Sequence, residues 1–172
     1  MAVTWKKLAY YQEASTTIKG FIEIATVTEI NTGTDNTRAI SPDGLAGSIH
    51  GKKGVCFILI ESDTDVAIVD GKTAFTVPLS MDGMDLISVL ASVHTKGVTG
   101  TTDVQVRRRR AGSDADMLST KITIGDEYFA SDGVIDGNND DVEDGDQIYI
   151  DVDAIHTTAP KGLSVVLTFW KL

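Results

Sequence analysis

The 172-residue chain has one cysteine, few aromatic residues and a deficit of positive charge. A single thiol excludes a disulfide within the chain and fits assembly in a reducing cytoplasm. Cys56 lies in the apolar run 55–60, so we interpret it as a small core residue. Fifteen Lys and Arg against 25 Asp and Glu give a net charge of −10. This charge disfavours nucleic acid and anionic membranes as partners.

Long apolar runs are also missing. No segment approaches the about 18 apolar residues that a membrane-spanning helix needs. The first 16 residues, MAVTWKKLAYYQEAST, contain no apolar run of signal-peptide length. We therefore expect a soluble protein that is not exported by a classical route. Because 42% of the residues are apolar, we also expect a packed core.

Motifs for catalysis are absent from the sequence. His50, His94 and His156 are far apart, and there is no nucleophile elbow, zinc-binding His-Glu-x-x-His pair, phosphate-binding loop or Cys-x-x-Cys. The chain has no room for the long β-helix with paired carboxylates that cleaves glycans in other proteins. The sequence therefore predicts a protein that is not an enzyme and needs no cofactor.

From Gly51 onward the sequence has the period-two alternation of β-strands. The clearest example is 147–153, where Ile148, Ile150 and Val152 alternate with polar residues. About eight such strands, separated by Gly- and Asp-rich turns, predict a mainly β domain over residues 51–172, a jelly-roll-like β-sandwich. The final strand has apolar residues on both faces, which indicates either a central strand or a subunit contact.

Residues 1–50 predict an extended or short-helical arm in front of this domain. Between residues 21 and 31 both helix and strand remain open, because many of the apolar residues are β-branched. The segment 32–36, TGTDN, predicts a turn. Ser41-Pro42-Asp43 predicts a helix start, with serine as the cap and proline in the first helical position.

The arm contains an ordered motif at residues 24–48, IATVTEINTGTDNTRAISPDGLAGS. It resembles the short repeat of phage tail-fibre and related virion-fibre proteins. The matching residues are Ala25, Thr26, Glu29, Ile30, Gly33, Thr34, Asp35, Asn36, Thr37, Arg38, Ala39, Ile40, Ser41, Pro42, Leu45 and Ala46. The segments 99–110, 117–124 and 145–169 also resemble the C-terminal β-domains of phage virion appendage proteins.

This resemblance implies a structural virion protein of a tailed phage, assembled in the host cytoplasm and located on the virion surface. We expect a homotrimer whose arm, residues 1–50, binds the major capsid protein or another virion protein. The residues expected to anchor the arm or to form trimer contacts are Trp5, Tyr10, Tyr11, Phe21, Ile24, Val27 and Ile30.

The position on the particle is a separate expectation. Tail fibres are usually far longer than this chain, and the motif occurs once, so a capsid decoration or head fibre is favoured over a tail fibre. The alternative function is a tail-fibre or tail-tip protein that recognises host surface glycans. Its expected contacts are aromatic and amide side chains, namely Tyr128, Phe129, Asn138, Asn139 and Tyr149.

Arg107–Arg110 form the only basic cluster. A nucleic-acid patch is disfavoured, because no aromatic residues are interleaved with the arginines and the chain is acidic. On a strand, Arg107 and Arg109 point one way and Arg108 and Arg110 the other. We expect pairing with acidic groups, within the chain or across a subunit contact, and assign Arg107 and Arg109 to intersubunit ion pairs.

The segment 131–146 holds seven carboxylates and no basic residue. Asp136, Asn138 and Asp140 have the alternating spacing of calcium ligands. However, Asp141 and Gln147 occupy the positions where an EF-hand requires glycine and glutamate. A solvated turn is therefore the favoured interpretation, with calcium as the alternative.

Overall fold

In a computed structural model of the chain, residues 22–171 are described, and they divide into two compact units between Gly51 and Lys52. The sequence predicts this boundary one residue earlier, between residues 50 and 51. Four residues expected to anchor the arm or to form trimer contacts lie outside the described residues: Trp5, Tyr10, Tyr11 and Phe21.

The first unit contains two short helices, α1 (Val27–Thr32) and α2 (Pro42–Ala46), followed by a 3-10 turn at Ile49–Gly51. Helix rather than strand forms at α1 because Thr26 and Glu29 make a capping box. The Thr26 hydroxyl accepts the Glu29 N–H, and the Glu29 carboxylate accepts the Thr26 N–H. As predicted, Ser41 caps α2, which begins at a proline.

The second unit is built from short and long β-strands, with a 3-10 turn at Leu79–Met81. The strands are β1 (Lys53–Asp65), β2 (Ala74–Thr76), β3 (Met84–Thr95), β4 (Thr102–Arg110), β5 (Ser113–Asp116), β6 (Leu118–Thr120), β7 (Ile122–Ile124), β8 (Phe129–Ala130), β9 (Val134–Ile135), β10 (Asp141–Val142), β11 (Gln147–Ala154) and β12 (Lys161–Trp170).

These strands form two five-stranded antiparallel sheets and one β6–β9 pair. The first sheet has the order β1-β12-β3-β10, and β8 also pairs with β3. The second has the order β2-β11-β4-β5, and β7 also pairs with β4. The pairs are nested: β1 with β12, β2 with β11, β3 with β8 and β10, and β4 with β5 and β7.

Strand pairs nested in this way form one long hairpin, and successive pairs along the hairpin belong alternately to the first and second sheets. This is the topology of a jelly roll. If β5 and β7 are counted as one edge position, and β8 and β10 as another, the two sheets have the predicted eight positions. The mainly β fold class with a short helical N-terminal segment is therefore confirmed.

The core lies between the two sheets. Ile148, Ile150 and Val152 of β11 are fully buried, as their alternation predicted. Leu167 and Phe169 of β12 are fully buried from the other sheet. Each large side chain buried in this way stabilises the fold by roughly 1.5–3 kcal/mol. The inward faces of β11 and β12, which are interior strands of the two sheets, thus form part of the core that holds the sandwich together.

Strands β12 and β1 of the first sheet test two predictions from the sequence. The apolar residues on both faces of β12 indicated either a central strand or a subunit contact, and β12 does lie between β1 and β3. On β1, Val55 and Phe57 face the core side, and the intervening Cys56 is exposed. The prediction of Cys56 as a core residue was wrong.

Candidate functional site

Arg38 joins three carboxylates at the centre of the fibre-type motif. Its Nε lies 3.1 Å from Glu23, and its Nη1 lies 2.5 Å from Glu29 and 2.6 Å from Asp35. The pKa of Glu29 is lowered by hydrogen bonds from Thr26 and by the charge of Arg38. Arg38 therefore ties the residue before the motif, helix α1 and the following turn into one cluster.

Other motif residues close the turn between the helices. Gly33 ends α1 with a φ of 68°, a left-handed conformation that favours glycine. The Asp35 carboxylate accepts hydrogen bonds of 2.7 Å from both the N–H and the hydroxyl of Thr37. Ala25 and Ala39 then bring the two segments together, with the Ala25 N–H donating to the Ala39 carbonyl at 2.8 Å.

Ile30 is a core residue of this unit and corrects its assignment as a trimer contact. Only 5% of Ile30 is exposed, so it has almost no surface to offer another chain. A Cβ atom added at Gly44 would lie 2.9 Å from Ile30 Cδ1, which shows how closely α2 approaches α1. By contrast, Ile24 and Val27 are 62% and 39% exposed and remain available for a contact.

The exposed apolar side chains of the first unit extend beyond the two that were predicted. Further members are Ile22, Ile40, Leu45 and Ile49. The motif residues thus have two roles in the structure: polar ones and small ones hold the unit together, and several branched ones remain at its surface.

Arg107 and Arg109 find their partners on the outer face of the second sheet. Arg107 binds Asp151 through Nε at 2.7 Å and Asp114 through Nη1 at 2.7 Å. Arg109 binds Asp114 at 2.6 Å, and both guanidinium groups lie 5.1 Å from the centre of the Tyr149 ring. Of the two pairings left open, the structure contains the one within the chain; intersubunit pairing stays a prediction.

Arg108 and Arg110 bind a second set of carboxylates. Arg108 donates to the Asp141 carboxylate at 2.6 Å and also to its main-chain carbonyl. Arg110 binds Asp141 at 2.8 Å and the buried Asp146 at 2.7 Å. The four arginines therefore link β4 to β5, β10, β11 and the turn before β11; we call them and their carboxylate partners the arginine ladder.

Lowered pKa values keep the Asp114 and Asp146 carboxylates of the arginine ladder charged. A hydrogen bond from Arg109, followed by the charge of Arg107, lowers the pKa of Asp114 to about 2. Burial raises the pKa of Asp146, but hydrogen bonds from Arg110 and from the Glu143 N–H outweigh it, and the pKa is lowered. Groups that stay ionised near pH 7 suit structural ion pairs and not proton transfer.

The acidic segment forms a turn. Asp136 accepts hydrogen bonds from the Asn138 N–H at 3.1 Å, the Asn138 side chain at 3.0 Å and the Asn139 side chain at 2.9 Å. The Asp141 carboxylate binds Arg108 and Arg110 of the arginine ladder and does not point toward a shared metal position with Asp136 and Asp140. Among residues 22–171, no three His, Cys, Asp or Glu side chains lie close enough to hold a metal ion. The geometry favours the turn interpretation.

The expected glycan contacts do not form one site. The Tyr128 carbonyl accepts the Val93 N–H, whereas the Asp140 carbonyl, just after Asn138 and Asn139, accepts the Leu86 N–H. These points on β3 are about 23 Å apart along the strand. Tyr149 lies on the other sheet. These residues therefore cannot bind one small glycan together, and glycan binding by any of them stays a prediction.

A smaller cluster that the sequence analysis missed surrounds Tyr128. Lys96 binds Asp126 at 2.9 Å, and its ammonium lies 5.4 Å from the centre of the Tyr128 ring. Tyr128 and Phe129 are 57% and 60% exposed. The separation of Lys96 from Asp126 by 30 positions gave no local signal for this cluster.

Comparisons of the chain with protein-family models, with curated proteins and with solved structures find no match. Between residues 22 and 171, none of the helices has the length and apolar character needed to cross a bilayer. The fold alone defines the class, which is a β-sandwich protein with a compact helical unit before the sandwich.

Proposed function

We propose that the protein is a structural virion protein of a tailed phage, a short homotrimeric capsid decoration or head-fibre subunit on the virion surface. The observation that supports the proposal is that the fibre-type motif contains two kinds of residue, those that stabilise the unit and those that are exposed at its surface. Arg38, Thr26 and Ser41 build the unit, and Ile24 and Val27 remain exposed at its surface. A small module with exposed branched side chains suits attachment and subunit contacts.

The trimer has a physical reason in the size of the first unit. Its described part, residues 22–51, is too short to bury all of its apolar residues within itself. Association of three copies removes Ile24 and Val27 from water, with a gain of about 25 cal/mol per Å² of apolar surface. Three joined arms also let three weak attachments to the major capsid protein act together.

Two measurements on the full chain test this proposal. Light scattering should give three times the chain mass of 18.4 kDa. Purified protein should also cosediment with phage particles that lack it. Replacement of Ile24 and Val27 by glutamate should reduce both results, whereas Asn36→Glu, at an exposed polar position of the same unit, should not. A single-chain mass at tens of micromolar would refute the trimer, and failure to cosediment would refute attachment.

The alternative function, recognition of host glycans, has its own supporting observation in the adjacent exposed rings of Tyr128 and Phe129. Glycan arrays with the wild-type protein and with Tyr128→Ala would separate it from decoration. Binding that disappears in the variant supports receptor recognition. A negative result with all host surface sugars would contradict receptor recognition and favour decoration.

A further inference from the structure

The outer face of the first sheet carries no charged side chain over its central rows. Cys56, Val166 and Leu90 are directly paired across β1, β12 and β3. The next row runs from Ile58 through Ser164 and Ser92 to Phe129 on β8. We call these two rows the uncharged face.

The uncharged face is suited to a dry contact. Ile58 is 74% exposed at one margin, and Phe129 is 60% exposed at the other. Between them, the hydroxyls of Ser92 and Ser164 lie 2.9 Å apart and hydrogen-bond to each other. Covering the face would therefore leave these two hydroxyls with a partner, which avoids the cost of burying an unpaired polar group.

The second sheet presents the opposite chemistry. Its outer face carries Arg107, Arg109, Asp114 and Asp151 of the arginine ladder. In a chain with a net charge of −10, two copies repel each other, and each carboxylate brought to a contact would lose hydration. The uncharged face lets two copies approach without burying such groups.

The charges at the two ends of β1 indicate which partner fits. Lys52, just before the strand, lies over the Trp170 ring with its Nζ 5.7 Å from the ring centre, whereas Glu61 and Asp63 lie beyond the uncharged face at the other end of β1. A twofold axis in the plane of the contact, perpendicular to the strands, would place the β1 strands of two copies antiparallel. With Cys56 near the axis, Lys52 of each copy faces Glu61 of the other, so two oppositely charged pairs flank the apolar rows.

We propose that the uncharged face is a contact surface for a second copy of this chain. Two rows about 6.6 Å apart, spread over four strands about 4.8 Å apart, cover roughly 250 Å² on each copy. This is below the about 800 Å² per partner of a standard stable interface. The contact should therefore form between two of the three chains that the proposed trimer holds at high local concentration, and in this respect it rests on that proposal.

The only thiol of the chain offers a direct test, because Cys56 lies on the uncharged face. In the full-length protein, a short bis-maleimide should join two chains through Cys56 and give a two-chain band on a denaturing gel. Ile58→Glu should reduce this band by about tenfold, which corresponds to about 1.4 kcal/mol. Thr76→Glu, at an exposed position on β2 of the other sheet, is the matched control and should leave the band unchanged.

A charge exchange tests the orientation. Lys52→Glu and Glu61→Lys should each weaken cross-linking at low salt, and the double variant should restore it. Equal effects of Ile58→Glu and Thr76→Glu, or no restoration in the double variant, would overturn the inference. So would slow Cys56 labelling in a sample of single-chain mass, because another part of the same chain would then cover the face.

The inference and the proposed function fail in different ways. Cosedimentation with particles that persists without cross-linking removes only the face-to-face contact. Cross-linking that persists without cosedimentation supports the contact and removes the virion role.

Discussion

Arg107 donates two hydrogen bonds to the Asp151 carboxylate, from Nε to Oδ2 at 2.7 Å and from Nη2 to Oδ1 at 3.1 Å. Asp151 also accepts a hydrogen bond from the Gly71 N–H. Asp151 is buried, so its carboxylate has lost most of its contacts with water. The hydrogen bonds from Arg107 and Gly71 replace those contacts and stabilise the buried charge. This pair fixes β4 against β11 and against the loop before β2.

Asp151→Asn should destabilise the sandwich by about 3 kcal/mol, because it leaves the largely buried Arg107 with only Asp114 as its carboxylate partner. Chemical denaturation with tryptophan fluorescence would measure the loss. Asp153→Asn on the same strand removes a more exposed pair with Lys121 and should cost less than about 1 kcal/mol. Equal losses in the two variants would contradict the importance given to the Arg107–Asp151 pair.

The stability of the second unit should fall in acid. The pKa of Asp114 is held at about 2, and those of Asp141 and Asp146 are also lowered, against about 3.9 in an unfolded chain. A carboxylate with a lowered folded-state pKa stabilises the fold above the unfolded pKa, and this contribution is lost as the pH falls through the folded pKa.

The free energy of unfolding, measured from pH 7 to pH 2, should therefore decline below about pH 4. In Arg110→Gln the pKa values of Asp141 and Asp146 return toward their ordinary range, so the decline should be shallower. An identical pH profile for the variant and the wild-type protein would rule out this contribution of Arg110.

Asp85 should have the opposite effect. Burial and the nearby charges of Asp140 and Asp141 raise the pKa of Asp85, so its ionisation opposes folding above that pKa. Asp85→Asn should raise the melting temperature at pH 7, and the gain should vanish below about pH 4, where the aspartate is protonated in both states. Differential scanning calorimetry at the two pH values would measure this gain in melting temperature. A gain that persists in acid would contradict the explanation.

Two glycines of the fibre-type motif should respond differently to alanine. At Gly44 a new Cβ would meet Ile30 Cδ1 at 2.9 Å, so Gly44→Ala should destabilise the first unit by about 1–3 kcal/mol. At Gly47 the nearest atom would be 3.4 Å away and the backbone is right-handed, so Gly47→Ala should be neutral or slightly stabilising. Hydrogen exchange at the Ile30 and Gly33 amides would report the difference.

The sandwich could be predicted because its strands alternate regularly. Cys56 was misassigned because the pairing of β1 with β12 shifts between Ile58 and Ile60, so that Leu59 and Ile60 are both buried. This bulge turns an alternating strand into a continuous apolar run in the sequence. Burial of Cys56 then looked as reasonable as burial of Phe57.

The predicted sites were harder to locate, because their geometry depends on pairings between distant residues. The four arginines indicated ion pairing, but nothing local identified Asp151 as the partner of Arg107, 44 positions away. Tyr128 and Asn138 are ten positions apart in sequence, yet β3 separates them by most of its length. Helix caps such as Thr26 and Ser41, by contrast, bond within three residues, so the sequence alone can indicate them.

The pairing of β1 with β12 means that the sandwich begins and finishes at neighbouring positions, since Lys53 lies opposite Phe169. A short linker could join these two points, and a circular permutant opened at a distant turn such as the one between β4 and β5 would keep every strand pair. For a protein held on a larger assembly, one attachment point at this edge would restrain both ends of the sandwich. A protein fused to either end of the second unit would therefore extend from the same edge of the sandwich.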